Sequence, residues 1–276
     1  MSPAGRLTGE DKFTLRQFAL CQIVLRSLLL RHGFSIGKIG PAAMLEVLYE
    51  DNHLLAVNKP AGLPTMGAVG KPCVLAVAKE YIRQKYNKSG NVYLGTVSRL
   101  DAPVTGVLLF ARTSKAAARV AKQFRERYVD KTYWAIVEGE ANTAETACVD
   151  WLRKDERHRK MHICRENAPD AQEARLSYRA LHTFNDMSML EIRLETGRKH
   201  QIRLQLASRG HAVIGDRKYG SSYKFPAGIA LHARRLEVQH PTLKQEIELI
   251  APLPKSWRTV ISEEMEHRLA ISHTRD

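Results

Sequence analysis

The sequence predicts an α+β fold in which a largely antiparallel mixed sheet carries flanking helices. Two observations support this class, and a third bears on the number of domains. Predicted strands often follow one another without a helix between them, whereas strands and helices alternate along a doubly wound chain. Residues 45–57 and 231–250 each show the pattern of a β-hairpin. No internal repeat or low-complexity linker divides the 276 residues, of which 44% are apolar and 26% charged, so we expect one main domain.

The first predicted elements are a hairpin and a helix. Apolar residues at alternate positions from Leu45 to Tyr49 predict a strand. A turn at residues 50–52 leads to a second strand at residues 54–57. The Lys-Pro-Ala-Gly run at residues 59–62 ends this strand, and residues 72–86 then predict a helix.

The middle of the chain adds a strand, a helix and another strand. Residues 107–111 form a short apolar run, which is typical of a buried strand. Thr113 and Ser114 can cap a helix that runs from Lys115 to about Arg127, because a hydroxyl group at this position accepts a hydrogen bond from the first helical turn. Residues 132–137 predict the next strand.

The last predicted elements are a strand, a helix and a closing hairpin. Residues 190–195 alternate apolar and charged side chains, which predicts a strand with one face in water. Gly197 turns the chain into a helix that runs towards Gly210. Residues 231–238 and 246–250 pair as a hairpin around a His-Pro-Thr turn.

The two ends of the chain are expected to lie outside the main domain. Residues 1–43 carry six basic and two acidic side chains and predict a loose, partly helical extension. An organellar transit peptide and a start site at Met44 are the alternatives. We assign residues 44–265 to the main domain and residues 266–276 to a C-terminal tail.

The charge of the chain predicts a polyanionic partner. Lys and Arg number 43 against 29 Asp and Glu, which gives a formal charge of +14. The excess lies in residues 111–131, 153–165 and 196–218. A solvated helix face explains the first block equally well, and we expect the second to be an RNA-facing loop or plain surface. The third surrounds a strand-Gly-helix junction, where backbone N–H groups favour phosphate.

The cysteines indicate a reducing compartment. The four cysteines are widely separated and form no CxxC pair, so we expect a cytoplasmic protein without disulfides. No apolar run is long enough to cross a membrane. His158, His162 and Cys164 have spacings that could touch a zinc ion, but the surrounding basic side chains disfavour such a site.

Five sequence segments point to chemistry when they are taken together. Asp101 lies in a Pro-containing loop before a buried strand, and this segment alone fits a turn aspartate better than a catalytic one. The segments occur in the order Ser98-Arg99-Leu100-Asp101, Lys131-Thr132-Tyr133-Trp134-Ala135, Gly197-Arg198-Lys199-His200-Gln201-Ile202-Arg203, Gly215-Asp216-Arg217-Lys218-Tyr219-Gly220 and Leu231-His232-Ala233. Because these five segments occur together and in this order, the chain resembles the RluA-type family of RNA pseudouridine synthases from Leu45 to about Trp257.

The resemblance implies a fold, a reaction and a set of site residues. It implies the pseudouridine synthase fold with a central active-site cleft, and an enzyme that isomerises a uridine in structured ribosomal or transfer RNA. The essential aspartate of the family falls on Asp101, and its tyrosine and arginine fall on Tyr133 and Arg203. Arg99 corresponds to a side chain that enters the RNA stack where the target nucleotide leaves it. Residues 44–265 are then the catalytic domain.

These residue types suit the reaction. Pseudouridine forms when the N1–C1′ bond breaks, the uracil turns and C5 joins C1′, so we expect no cofactor and no metal. Asp101 supplies one carboxylate, Arg203 favours its ionised form, and Tyr133 can stack on the uracil. The sequence leaves open whether Asp101 attacks C1′, adds to C6 or removes the C2′ proton. A glycoside hydrolase normally needs two carboxylates beside the bond that it breaks, and Asp101 is the one strong candidate here, so the sequence disfavours hydrolysis.

Other residues of the five segments have expected roles in binding or packing. We place Arg99, Leu100, Arg198, Lys199 and Leu231 in the surface that binds the RNA substrate. His200 and His232 are expected to pack or hydrogen-bond, whereas Asp216 and Tyr219 are expected to fix a tight turn against the site. We expect a monomer with structured RNA as partner and no membrane. The alternative function is a non-catalytic RNA-binding protein or chaperone with the same fold.

Overall fold

The computed structural model describes residues 45–68, 71–158 and 160–261. Residues 1–43, Met44, residues 262–265 and the predicted tail lie outside this described part, so the expectations for both chain ends are not addressed. Within it, eleven strands form one sheet. They are β1 (Glu46–Glu50), β2 (Leu54–Lys59), β3 (Gly95–Thr96), β4 (Thr105–Ala111), β5 (Asp130–Glu138), β6 (Thr146–Asp155), β7 (Lys160–Cys164), β8 (Gln172–Phe184), β9 (Met187–Leu194), β10 (Leu231–Gln239) and β11 (Glu246–Ile250).

Three α-helices accompany the sheet in the described ranges: α1 (Val74–Lys85), α2 (Ser114–Glu126) and α3 (Gln201–Ala207). The main strand order is β1-β2-β4-β10-β5-β9-β8-β6-β7, while β11 pairs with β10 and β3 pairs with β4. The β4–β10 pair is parallel and the other strand pairs described here are antiparallel. The predicted α+β class with a largely antiparallel mixed sheet is therefore confirmed.

The two faces of the sheet carry separate cores. Along β2, Leu55 and Val57 pack into the larger core with α1, whereas Leu54 and Ala56 pack into the smaller core with Val120 of α2. Successive strand residues point to opposite faces, so a strand covered on both faces must be apolar throughout. The same position between two cores explains the continuous apolar run of β4, in which every residue is buried.

The strongest local signals of the sequence correspond to observed elements. The Thr113 side chain accepts a hydrogen bond from the Ala116 N–H at 3.1 Å and caps α2 as predicted. Arg127 ends this helix in the left-handed conformation. The opening and closing hairpins and the predicted helices α1 and α3 are also present.

Two details of the second half of the chain differ from the expectations. The block at residues 153–165 lies largely at the surface, as one of its two alternatives had it, but most of it belongs to strands β6 and β7, so the loop alternative is wrong. Glu191 was expected on a wet face, but it is only 5% exposed. It is covered because Arg179 of β8 forms a 3.0 Å ion pair with it and Trp134 of β5 lies opposite.

The entry of β4 into the sheet depends on a close backbone contact. Gly106 has φ of +112° and lies directly against Ala233 of β10. A Cβ atom at this position would lie 2.2 Å from the Ala233 carbonyl oxygen, so only glycine fits. None of the helices in the described part of the chain combines the length and apolar character needed to span a membrane.

Candidate active site

An open cleft of about 1260 Å³ lies over the strands near the centre of the sheet. It is large enough for a nucleotide together with part of the strand that carries it. All eight residues that the sequence assigned to catalysis or RNA binding line this one cleft: Arg99, Leu100, Asp101, Tyr133, Arg198, Lys199, Arg203 and Leu231. Leu100 and Leu231 are buried in its wall, whereas Arg99, Arg198 and Lys199 are exposed.

Asp101 lies in the loop before β4, and a buried lysine fixes this loop. Lys59, at the end of β2, has no exposed surface. Its ammonium group donates to the carbonyl oxygens of Pro60 at 2.8 Å, Leu63 at 2.7 Å and Ala102 at 3.0 Å. Burial lowers the pKa of Lys59 to about 7, and the negative charge of Asp101 opposes this change.

The backbone on the other side of Asp101 is fixed as well. The Thr65 hydroxyl donates to the Leu100 carbonyl at 2.8 Å and accepts from the Leu100 N–H at 3.0 Å. The Gly62 N–H donates to the Ala102 carbonyl at 2.8 Å. Because both neighbouring residues are held, the Asp101 backbone has one position, while 27% of its side chain stays exposed to the cleft.

Arg203 on α3 connects two carboxylates. Its Nη1 donates to Asp101 Oδ2 at 2.9 Å. Its Nε and Nη2 donate to the two carboxylate oxygens of Asp216 at 2.6 and 2.9 Å, which is a bidentate pair. Burial opposes the charge of Arg203, but the hydrogen bonds and charges of Asp216 and Asp101 outweigh it and raise the pKa of the guanidinium. Arg203 is therefore a fixed cation beside Asp101, as predicted.

Tyr133 approaches the cleft from β5. Its side chain is partly exposed and lines the same space as Asp101. Burial, together with the negative charge of Asp101, raises the pKa of Tyr133 well above its usual range. The phenol therefore keeps its proton, and its ring can offer a flat face to a base.

His200 is closer to Asp101 than the sequence suggested. It stands immediately before α3 with φ of +53°. Its Nε2 lies 3.7 Å from Asp101 Oδ2, and its Nδ1 lies 2.7 Å from the Tyr219 hydroxyl. Burial lowers the pKa of His200 to about 4 against the opposing charge of Asp101, and nearby cations assist, so the ring is neutral at pH 7.

His232 has the packing role that was expected for both histidines. It is fully buried, with Nδ1 at 2.8 Å from the Thr105 hydroxyl and Nε2 at 3.2 Å from the Ala251 carbonyl. Burial lowers the pKa of His232 to about 3, so it is neutral at any working pH. It joins β4, β10 and the segment after β11 and does not line the cleft.

Exposed cations surround the cleft, and we call Arg99, Arg125, Arg127, Arg198 and Lys199 the basic rim. The sequence did not assign Arg125 and Arg127 to the site. The sequence feature that could have identified them is the basic block at residues 111–131, which contains both arginines. In the structure this block forms an exposed helix face and also the end of α2 at the cleft.

At the start of α3, where the sequence predicts that backbone N–H groups favour a phosphate, one of these groups is already used within the protein. The Arg198 N–H already donates to Gln201 Oε1 at 2.9 Å, so this amide is not available to a ligand. The Arg198 side chain also contacts protein, because its Nε donates to the Glu173 carbonyl at 2.9 Å. Its two Nη atoms can still approach a phosphate, since they extend beyond Nε.

The three residues considered as a zinc site make other contacts. His158 pairs with Asp155, His162 accepts from Arg153, and Cys164 contacts the Trp151 carbonyl. Across the described ranges, no group of three His, Cys, Asp or Glu side chains is placed to hold a metal ion.

Known proteins resemble this chain over most of its length. Residues 53–208, more than half of the chain, match the family described as RNA pseudouridylate synthase. Ribosomal large subunit pseudouridine synthase D of Xylella fastidiosa is 33% identical over 225 residues, which cover 76% of this chain and 66% of that protein. The chain thus spans about two thirds of the length of this relative.

A second relative is matched over more of its length. The tRNA pseudouridine synthase C of Salmonella typhi is 32% identical over 239 residues, which cover 80% of this chain and 90% of that protein. Among solved structures, human RNA Pseudouridylate Synthase Domain Containing 4 has a TM-score of 0.65 and covers 89% of this chain and 97% of its own. At 24% identity this likeness concerns the fold alone, and it confirms the predicted fold.

Proposed function

The chain belongs to the RNA pseudouridylate synthase family, and from this premise we propose that it converts a specific uridine of a structured RNA to pseudouridine. The observation that carries the proposal is the single carboxylate of Asp101, which is open to the cleft and lies 2.9 Å from the buried Arg203. A cation fixed at this distance balances the negative charge of Asp101 throughout the reaction.

Asp101 is the proposed catalytic residue. Arg203 and His200 both face its Oδ2, and no hydrogen bond from the described residues reaches its Oδ1. We assign Oδ1 to the reacting nucleotide, where the N1–C1′ bond breaks and the C5–C1′ bond forms. Attack on C1′, addition to C6 and removal of the C2′ proton each need one such oxygen.

Tyr133 is proposed to support the uracil while it turns. Its ring lines the cleft beside Asp101, and its protonated phenol adds no second negative charge to the site. An aromatic face holds the base without fixing its in-plane orientation, as the rotation requires. Leu100 and Leu231 supply apolar wall on the same cleft.

The basic rim is proposed to bind the RNA backbone. The target base must leave its stack, which costs a few kcal/mol and is offset by contacts to phosphates. Arg198 and Lys199 are placed for such contacts, and Arg99 is proposed to fill the space that the base leaves. The relatives are named for large-subunit ribosomal RNA and for transfer RNA, so we propose that the substrate is one of these.

Three expectations accompany this proposal. The single sheet of residues 45–261 supports a catalytic domain close to residues 44–265. The monomeric state and the cytoplasmic location stay predictions of the sequence.

The test is tritium release from RNA labelled at C5 of uridine, using total RNA from a strain that lacks this gene. We expect the wild type to release tritium and Asp101→Asn to release it at least about 1,000-fold more slowly, with RNA affinity changed less than about twofold. Asp186→Asn is the matched control, because this exposed turn residue undergoes the same chemical change away from the cleft.

Two results would contradict the proposal. A wild type that binds the RNA and releases no tritium would support the non-catalytic alternative. An Asp101→Asn variant that keeps the wild-type rate would show that the chain is an isomerase but that Asp101 is not its catalytic residue.

A further inference from the structure

A chain of contacts leads from β7 to the carboxylate of Asp101. The Met161 N–H donates to the Tyr219 hydroxyl oxygen at 3.0 Å. This hydroxyl lies 2.7 Å from His200 Nδ1, and His200 Nε2 lies 3.7 Å from Asp101 Oδ2. Tyr219 also packs edge-on against the His200 ring, so the two side chains fix each other's position.

The hydrogen atoms of this chain have one favourable arrangement. Tyr219 keeps its proton, because burial raises the pKa of its phenol. Its oxygen already accepts the Met161 N–H, so the hydroxyl hydrogen is free to point at His200 Nδ1. A neutral imidazole carries one N–H, and an acceptor at Nδ1 places that N–H on Nε2. The opposite tautomer would leave the tyrosine hydrogen without this acceptor and direct the Nε2 lone pair towards a carboxylate.

We propose that His200 is a positioning residue, held by Tyr219 as the Nε2–H tautomer, which together with Arg203 engages Oδ2 of Asp101 and leaves Oδ1 to the nucleotide. This inference rests on the proposed role of Asp101. The 3.7 Å separation is longer than a hydrogen bond, and hydrogen bonds at active sites are often long in the free enzyme and tighten when substrate binds.

The charges around His200 favour this neutral state. Lys199 and Arg203 flank it in its own segment, and Lys218 approaches from the turn that also carries Tyr219. These three cations oppose protonation, while Asp101 is the charged group that favours it. Protonation would also require Nδ1 to donate, which conflicts with the hydrogen of Tyr219.

The first experiment reads the tautomer directly. Long-range proton–nitrogen spectra of the enzyme with ¹⁵N-labelled histidine distinguish the two neutral forms, and the signal that disappears in His200→Asn identifies His200. Asn is chosen because it tolerates the left-handed backbone of this position. We expect the Nε2–H form in the wild type, without titration above about pH 5. In Tyr219→Phe we expect a mixture of tautomers and titration at a higher pH. An Nδ1–H form in the wild type, or an imidazolium at pH 7, would overturn the proposal.

The second experiment measures single-turnover tritium release from the same RNA. We expect Tyr219→Phe to lower the rate about 10-fold and to shift its acidic limb to higher pH, with RNA affinity unchanged within about twofold. We expect His200→Asn to lower the rate of tritium release about 50-fold, because the shorter side chain cannot reach Asp101. We expect His200→Gln to recover part of this rate, because its amide can reach Asp101. Tyr223→Phe is the matched control, because Tyr223 is an exposed tyrosine that does not line the cleft.

The failures of this inference and of the proposed function are distinguishable. If the wild type releases no tritium, the proposed function fails and the spectra still decide the tautomer. If the wild type is active and Tyr219→Phe keeps its rate and pH profile, the inference is wrong and the isomerase stands. Equal losses of rate and RNA affinity in His200→Asn and His200→Gln would indicate a purely structural residue and would also overturn it.

Discussion

Two regions around the cleft use the same residue types differently. The first, which we call the floor, is the set of buried charged residues that supports Asp101: Lys59, Arg203 and Asp216. Of these three, Arg203 also lines the cleft. The second region is the basic rim, which is exposed. A buried cation must have partners, so each floor cation makes three hydrogen bonds in a fixed geometry. An exposed cation is screened by water and acts mainly through its charge.

The difference assigns separate tasks to the two regions. The floor determines where one carboxylate stands and what faces each of its oxygens. On the proposed function, the rim sets how strongly, and with what salt dependence, the RNA is held over that carboxylate. We therefore expect floor substitutions to change turnover or stability, and rim substitutions to change affinity.

Among substitutions in the floor and the rim, the largest expected effect is that of Arg203→Leu. Without the 2.9 Å contact to Asp101, we expect the turnover number to fall about 1,000-fold, with RNA affinity changed less than about threefold. Single-turnover rates and filter binding on the same RNA measure both quantities. The variant also leaves Asp216 buried without its cation, which costs about 3–5 kcal/mol. The companion Arg203→Leu/Asp216→Asn removes that charge, and a companion with wild-type turnover would contradict the assigned role of Arg203.

The next effect is that of Lys59→Met, which keeps a long side chain and removes the buried amine. Three carbonyl oxygens then lose their donor, and we expect the free energy of unfolding to fall by about 3 kcal/mol at neutral pH. Chemical denaturation measures this change. The control is Lys88→Met, because Lys88 is exposed. We expect it to change the free energy of unfolding by less than about 0.5 kcal/mol.

Lys59 also makes stability depend on pH. Its pKa is about 7 in the folded chain and 10.5 in an ordinary lysine. Between these values the unfolded chain binds a proton that the folded chain does not, so the unfolding free energy rises with pH through this window. The difference between wild type and Lys59→Met is expected to grow from pH 7 to about pH 10. A constant difference would mean that the three carbonyls keep the amine charged in the folded protein.

The smallest effect is expected at the basic rim. Arg198→Ala/Lys199→Ala removes two phosphate contacts, so we expect affinity to fall about 10-fold and the slope of log affinity against log salt to decrease by about 1.4 to 1.8, the range between single-stranded and double-stranded segments of a structured RNA. Turnover at saturating RNA is expected to stay within about threefold. Lys88→Ala/Lys244→Ala removes the same charge from exposed sites outside the cleft. Equal losses in both double variants would show that the rim contributes only bulk charge.

Local signals predicted much of the sheet because they are complete within a few residues. The apolar run of β4 and the threonine cap of α2 are examples. Strand β8 was missed although Ala174, Leu176 and Tyr178 are buried at alternate positions, which is the same pattern of a strand with one face in water that predicted β9. Strand β7 has five residues, and its charged neighbours made it resemble a loop.

The site was predictable only where a resemblance supplied long-range information. Asp101 and Arg203 are 102 residues apart, so no local spacing indicates their contact. The role of Lys59 depends on three backbone carbonyls, which side-chain identities do not reveal. Likewise, the approach of His200 to Asp101 follows from its left-handed backbone and from the Tyr219 contact.

The position of β10 has a consequence for how the enzyme is made. This strand lies between β4 and β5, yet it follows them by about a hundred residues, and its His232 contacts Thr105 across 127 positions. Contacts of such long sequence separation form late in folding. A growing polypeptide can pair β1, β2 and β4 early, whereas we expect Asp101 and Tyr133 to meet across one cleft only after β10 has inserted between β4 and β5. The cleft is then complete only once residues 231–239 have been synthesised and have joined the sheet.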